Sequence, residues 1–459
     1  MGQLPLSRRL INAIDFLTYH ALQCRPDSKL AEERMNSVTP KQRPWTIMVY
    51  MAGDNGKVFN TNAGPMRLMA EMTSAGYKDL WKMGQIGTTD MCAVTCLFDT
   101  LQGSYLIEVR KGNGMSNSLV HPLGDLNMGD PQNLRNFIIR AVTDYPAEHY
   151  ALIFWNHGLG WLDVDIYASV RSAAAGPAHQ PIFRSTPRRM TGGDQTRPIA
   201  FDDSSKDFLD SQEIRWALSD AVNVIARRID LIGMDACLMA MIEGARELAP
   251  FADFFVASQE VEPMEGWPYA AILRAINAQP RIGPRELAEL IVDEYARSYG
   301  GKTRSAATVT QSAIDTARTG ITEVLAKELV DALLADPAPL LRSMTQRAAD
   351  QALAFQDRSY RDLGSFAAAL ATEATWNLHR NAKRVKVIAE TLRDHMVSRN
   401  PDAPILRVGF LPSYAEATGL SVFLPRILSP TRREEAMRVY RSLVFAERTG
   451  WDRLVEWLL

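Results

Sequence analysis

Cysteine is scarce in this chain: Cys24, Cys92, Cys96 and Cys237 are the four in 459 residues, too few and too scattered for a disulfide framework. Cys92 and Cys96 stand at CxxxC spacing in DMCAVTCLF, yet no second Cys/His cluster lies nearby to complete a zinc site. No metal is therefore assigned to them. Charge of one sign is not in excess either. Lys plus Arg number 51 against 53 for Asp plus Glu, and a net charge of −2 gives no global attraction for nucleic acid or anionic lipid. Long apolar runs are missing, since no window approaches the ~18 uninterrupted apolar residues of a membrane helix. The first 24 residues carry two arginines, as a signal peptide does, but Asp15 and His20 interrupt the apolar stretch and no small-x-small cleavage site follows. The default expectation is a cytoplasmic protein with neither nucleic acid nor membrane as partner, secretion by another route staying open. No GxGxxG or GxxxxGK[ST] loop follows a strand-like run, which ranks a nucleotide-binding protein last.

What is present is 46% hydrophobic sequence, enough for a large core, in a length that suits two or three domains of roughly 150 residues. Apolar runs rich in β-branched and aromatic residues recur at WTIMVYM (45–51), AVTCLF (93–98), YALIFW (150–155), DLIGMD (230–235) and FFVASQ (254–259). They are apolar nearly throughout rather than alternating, the pattern of strands buried on both faces. Helical sequence lies between them at 134–145, 211–222 and 238–249. The alternation predicts an α/β fold with a mostly parallel sheet flanked by helices. Such sheets place ligands at the carboxyl ends of their strands. Here YALIFW runs into NHGLGW, DLIGMD into AC, and FFVASQ into EVEPMEGWPY.

Cys237 is read as the first residue of a helix after a buried strand, where unpaired N–H groups would lower its pKa from roughly 8.5 toward ~7. A free cysteine is more often simply core. His157, flanked by Gly158 and expected at the same sheet edge, supplies what a nucleophile needs. An imidazole within hydrogen-bond reach takes the thiol proton and later protonates the leaving amine. The backbone N–H groups of Gly158 and Cys237 are candidates for the oxyanion site.

The segments IMVYMAGDN, NMGDPQNLRNFI, YPAEHYALIFWNHGLGW, FDDSSKDFLDSQEIRWAL, IDLIGMDACLMAMIEGARELAPFADFFVASQEVEPMEGWPY and GLSVFLP run in order from about residue 45 to 425, and together they resemble the clostripain family of cysteine peptidases, within the caspase-like group. The resemblance implies a caspase-like sheet, a dyad of His157 and Cys237, and cleavage after arginine or sometimes lysine in protein or peptide substrates. A guanidinium requires a carboxylate in its pocket, best met by bidentate hydrogen bonds. Asp235, two residues before Cys237, is the first candidate for that pocket and Glu265 the second, where the family more often has aspartate. Against these stand plainer roles: Asp235 as a helix cap, and Glu260, Glu262 and Glu265 as a solvated acidic loop.

A Cys-His mechanism requires no cofactor. Some relatives use calcium, and Asp202, Asp203 and Asp207 in FDDSSKD are acids a hard cation would take, but their spacing does not match an EF-hand loop and a capped turn is the competing explanation. Residues 162–198 read as a long surface loop rich in Ala, Gly, Pro, Ser and Arg. Relatives can cut themselves after the histidine, and this loop offers Arg171, Arg184, Arg188, Arg189 and Arg197 as sites. The domain reading is an N-terminal extension over 1–43, a caspase-like peptidase domain over 44–300, and a C-terminal accessory domain over 301–459, α/β or mainly helical, with strand-like LRVGFLP and GLSVFLP. A catalytically silent caspase-like binding module is the alternative function. Oligomeric state is not encoded in these patterns.

Overall fold

A computed structural model describes residues 42–54, 65–156, 158, 199–202, 205, 207–279, 281–300, 309–397, 402–410 and 414–459. In chain order the first half contains β1 (Arg43–Ala52), α1 (Pro65–Gly84), β2 (Cys92–Thr100), β3 (Gly103–Glu108), β4 (Leu119–Gly124), α2 (Pro131–Asp144) and β5 (Ala147–Trp155). Next come β6 (Ile199–Asp202), β7 (Asp207–Leu209), α3 (Ser211–Ile225), β8 (Ile229–Asp235), α4 (Ile242–Leu248), β9 (Ala252–Ala257), α5 (Tyr269–Ala278) and α6 (Pro284–Tyr299). The remainder contains β10 (Thr310–Asp315), α7 (Thr319–Leu334), α8 (Pro339–Gln351), β11 (Tyr360–Asp362), α9 (Leu363–Thr375), α10 (Ala382–Met396), β12 (Ile405–Phe410), β13 (Ser421–Phe423) and three C-terminal helices.

Nine strands form one sheet in the order β12-β10-β9-β8-β5-β1-β2-β3-β4. Its centre, from β9 to β2, is parallel, and both flanks are antiparallel. The five apolar runs seen in the sequence are these five central strands. Strand alternation splits their side chains between two cores. On β1, Met48, Tyr50 and Ala52 enter one core while Trp45, Ile47, Val49 and Met51 enter the other. Both faces are therefore covered, which is why the strands read as continuous apolar runs. The region after residue 300 supplies β10 and β12 to the same sheet, so its strands extend the platform that carries the central strands. Among the described residues no helix is long and apolar enough to cross a membrane.

Capping fixes the helices that brace this platform. Asp130 caps α2, and Asp210 with Glu213 forms a reciprocal capping box at α3. These local signals lie in the sequence and make α3 begin at Ser211, as its apolar periodicity predicts.

Candidate active site

The parallel strands β5 and β8 end side by side, pairing Trp155 with Asp235. Beyond β8 the chain does not start a helix. Ala236, Cys237 and Leu238 make a tight turn, and α4 begins only at Ile242. This corrects the expected helix over 238–249. The physical reason is that neighbouring backbone claims the turn's N–H groups: Leu238 N donates to the Glu260 carbonyl at 3.1 Å and Ala240 N to the Ser258 carbonyl at 2.8 Å. Leu238 is held at φ +61°, a left-handed conformation unusual for a leucine and of the kind found where surrounding structure imposes a site geometry.

Among the described cysteines, Cys237 alone is partly exposed; Cys92 and Cys96 are buried core, and burial pushes the Cys92 thiol up to about 12. The Cys237 sulfur accepts from the Glu262 amide at 3.2 Å. The Gly158 amide also lowers its pKa, but burial acts more strongly, and the net shift is upward. The helix-start argument for a thiolate therefore fails: no helix begins at Cys237, and the sulfur stays protonated until a base removes the proton.

His157 lies outside the described residues, as do Arg171, Arg184, Arg188, Arg189, Arg197 and Asp203. Both chain neighbours of His157 rest on the Cys237 turn. Asn156 N donates to the Asp235 carbonyl at 3.4 Å. Gly158 packs so closely that a Cβ there would sit 2.4 Å from the Cys237 carbonyl oxygen, an approach only glycine allows.

Asp235 ends β8 and is buried. Its Oδ2 accepts from the Tyr269 hydroxyl at 2.8 Å and the Trp267 amide at 3.2 Å. It caps no helix, since the residue at the start of α4 is Met241. Burial raises the Asp235 pKa, opposed by the Tyr269 hydrogen bond. A cavity of about 40 Å³ opens between Asp235 and Cys237, lined also by Met72, Trp155, Glu262 and Met264. That is room for about one water, so a long side chain enters only if the flexible methionines swing away.

The acidic loop divides. Glu260 and Glu262 are buried rather than solvated, whereas Glu265 is exposed. Glu260 is fixed by the Gln356 amide at 3.0 Å and by the Tyr414 hydroxyl, tying the loop to the C-terminal region. Glu262 lines the cavity, and burial, then the charge of Asp235, hold its carboxyl well above the ordinary range. Glu265 contributes its backbone carbonyl, which accepts from Lys82 Nζ.

A further acid, Asp79 on α1, lies beside Asp235 and belongs to no motif in the sequence. A Cβ on Gly266 would lie 3.1 Å from Asp79 Oδ2 and 3.2 Å from Asp235 Oδ2, so the two carboxylates flank one glycine. Asp79 Oδ2 accepts from the Trp155 indole at 2.8 Å and Oδ1 from Lys82 at 2.6 Å. Burial, then the charge of Asp235, raise Asp79 to about 7. In sequence the only hint is an Asp and a Lys three apart on a helix, which reads as a surface ion pair.

Elsewhere, Asp202 Oδ1 accepts from Ser205 N at 2.8 Å, a side-chain-capped turn, and Asp207 Oδ2 accepts from Asn127 at 2.7 Å.

Known proteins carry the same frame. A structure of a secreted C11 cysteine protease from Bacteroides thetaiotaomicron, bound to an irreversible peptide inhibitor, superimposes with a TM-score of 0.56 at 17% identity, covering 89% of this chain and 99% of that one. An inactive zymogen C11 protease from Parabacteroides distasonis gives 0.57 at 16% identity, covering 90% and 99%. At these identities the likeness concerns the fold. Clostripain from Hathewaya histolytica is 28% identical over 258 residues, 52% of this chain and 43% of the relative, so the match spans less than half of that protein. A sequence profile of the clostripain family matches residues 49–175 and 188–457, which is most of the length, and the chain belongs to that family.

Proposed function

We propose that this chain is a cysteine endopeptidase that hydrolyses peptide bonds after arginine or lysine. The observation that carries the reading is a partly exposed thiol and a buried aspartate lining one cavity, with the glycine after His157 packed on the thiol residue's backbone. In the proposed reaction His157 takes the Cys237 proton, and the sulfur attacks the scissile carbonyl. The N–H groups of Gly158 and Cys237 receive the oxyanion. His157 then protonates the departing amine, leaving a thioester, and a water that His157 deprotonates releases the acid and restores the thiol. The raised pKa of Cys237 makes the base necessary. Asp235 receives the cationic side chain, with Asp79 and Lys82 setting the local charge.

The narrow cavity supports a second element of the proposal, self-cleavage at Arg171, Arg184, Arg188 or Arg189 before full activity. A relative of the same fold is described as an inactive zymogen. Intact mass of the wild type and Cys237→Ala after incubation checks this, and an uncut yet fully active wild type rejects it. The main test uses fluorogenic peptides ending in Arg, Lys, Asn or Asp, with Cys237→Ala and His157→Ala alongside. Turnover of the Arg peptide that disappears in both variants, by on the order of 10⁴-fold, supports the dyad; undiminished activity in Cys237→Ala rejects it.

A further inference from the structure

The turn that carries Cys237 is shaped from outside, by the strip of chain over 258–262. Leu238 N donates to the Glu260 carbonyl at 3.1 Å, Ala240 N donates to the Ser258 carbonyl at 2.8 Å, and the Glu262 amide donates to the Cys237 sulfur at 3.2 Å. The first of these bonds holds Leu238 in its left-handed conformation. A leucine freed from such an imposed geometry relaxes toward a commoner one. The position of the sulfur therefore depends on what fixes the strip.

Strand β9 ends at Ala257, so the strip lies beyond its ladder. Thr310 Oγ1 accepts from the amides of Gln259 and Glu260 at 3.0 and 3.1 Å. The Gln259 side chain donates to Asp362 Oδ2 at 3.0 Å and accepts from Gly419 N at 3.1 Å. The Glu260 carboxylate accepts from its neighbour Val261 N at 2.8 Å, from Gln356 N at 3.0 Å and from the Tyr414 hydroxyl. Apart from Val261, each of these partners lies after residue 300. Glu260 is thus engaged at both ends, its carbonyl holding the turn while its carboxylate is held by the C-terminal region. Three donors on one buried carboxyl group match an ionised side chain, which only accepts. An amide in its place would turn an NH₂ group toward one of those donors.

We propose that Glu260 is a positioning residue for the thiol, anchored by Tyr414 and acting through the Leu238 amide to keep the Cys237 turn in its reactive geometry. The inference rests on the peptidase reading for the reaction it serves, but the state of the thiol can be measured without any substrate. The carboxylate also acts through its charge. Burial raises the Cys237 pKa most, and the charges of Glu260 and Asp235 raise it further. Glu262 and the Tyr295 hydroxyl face the same sulfur electrostatically. Geometry and charge can be separated. Tyr414→Phe loosens the anchor and leaves the charge in place, whereas Glu260→Gln loosens the anchor and removes the charge.

The experiment compares the full-length wild type with these two variants, with thermal melts alongside. On an Arg peptide both variants should lose about 10–10²-fold in kcat while KM stays within about threefold, the pattern of a misplaced reacting group. In parallel, the rate at which iodoacetamide alkylates Cys237 is followed from about pH 5 to 10 by mass of the peptide that contains it. The thiolate displaces iodide, so this rate tracks ionisation of the sulfur. Its midpoint should move to lower pH in Glu260→Gln and stay in place in Tyr414→Phe. A folded Tyr414→Phe chain with kcat within about twofold of wild type overturns the proposal, as does a loss carried wholly by KM. If the wild type cleaves no Arg peptide, the peptidase reading fails and the alkylation arm still decides: an unmoved midpoint in Glu260→Gln then overturns the link between Glu260 and the thiol.

Discussion

Gly158 rests on the backbone of Cys237, its missing Cβ falling 2.4 Å from that residue's carbonyl oxygen and 2.9 Å from its amide nitrogen. The contact joins the chain leaving β5 to the turn leaving β8. A methyl group there must displace backbone, which no rotamer change relieves. Gly158→Ala is therefore expected to lower kcat by about 10²–10³-fold, as for loss of one oxyanion donor, with a smaller change in KM. Stopped-flow or initial-rate kinetics on an Arg peptide, beside a thermal melt, checks it. A loss under about tenfold in a folded variant would remove the Gly158 amide from the reacting site.

Asp235 is kept in place by Tyr269 and the Trp267 amide. Replacing it with Asn should cost Arg peptides about 10²-fold or more in kcat/KM, the usual scale for one partner of a buried charge pair, and neutral peptides far less. Equal losses on both would assign it to folding alone. Tyr269→Phe removes a hydrogen bond that lowers the Asp235 pKa, so the acidic limb of kcat/KM for Arg peptides should move to higher pH. An unmoved limb would count against Asp235 as the pocket charge.

Asp79 adds a pH dependence of its own. Its carboxyl is raised to about 7, so it is largely ionised above that pH and neutral below it. As pH falls through this window the pocket loses negative charge, and a small guanidinium such as agmatine should inhibit more weakly. In Asp79→Asn the step should vanish and the inhibition constant stay near the acid-side value of the wild type. Competition assays between about pH 5 and 9 measure this, and a step of the same size in the variant would separate Asp79 from cation binding.

How much of this was legible in the sequence follows from where each signal lives. Strands β1, β2, β5, β8 and β9 are visible because burial on both faces removes alternation and leaves plain apolar runs. The antiparallel additions are harder. β10 pairs with β9 across about fifty residues, through contacts that no local pattern encodes. The turn at Cys237 looked helical because Leu238, Met239 and Met241 have helix-compatible spacing, but carbonyls from 258 and 260 take the backbone donors first. Asp79 was invisible for the same reason. Its importance depends on α1 lying beside β5, where the Trp155 indole meets it.

Asp99 gives a stability signature whose sign is fixed by linkage. An unfolded aspartate titrates near about 3.9, while folded Asp99 is raised to about 8. Between those values the folded chain holds a proton that the unfolded chain has released, so ionisation of this group opposes folding as pH rises. Its contribution is fully present below the lower value and lost through the upper one. The urea midpoint of the Cys237→Ala chain should therefore decline between about pH 5 and 8. Asp99→Asn, which has no proton to lose, should decline less over the same range. Identical slopes for parent and variant would show that Asp99 titrates alike in both states, and would remove the burial and charge repulsion that raise its pKa.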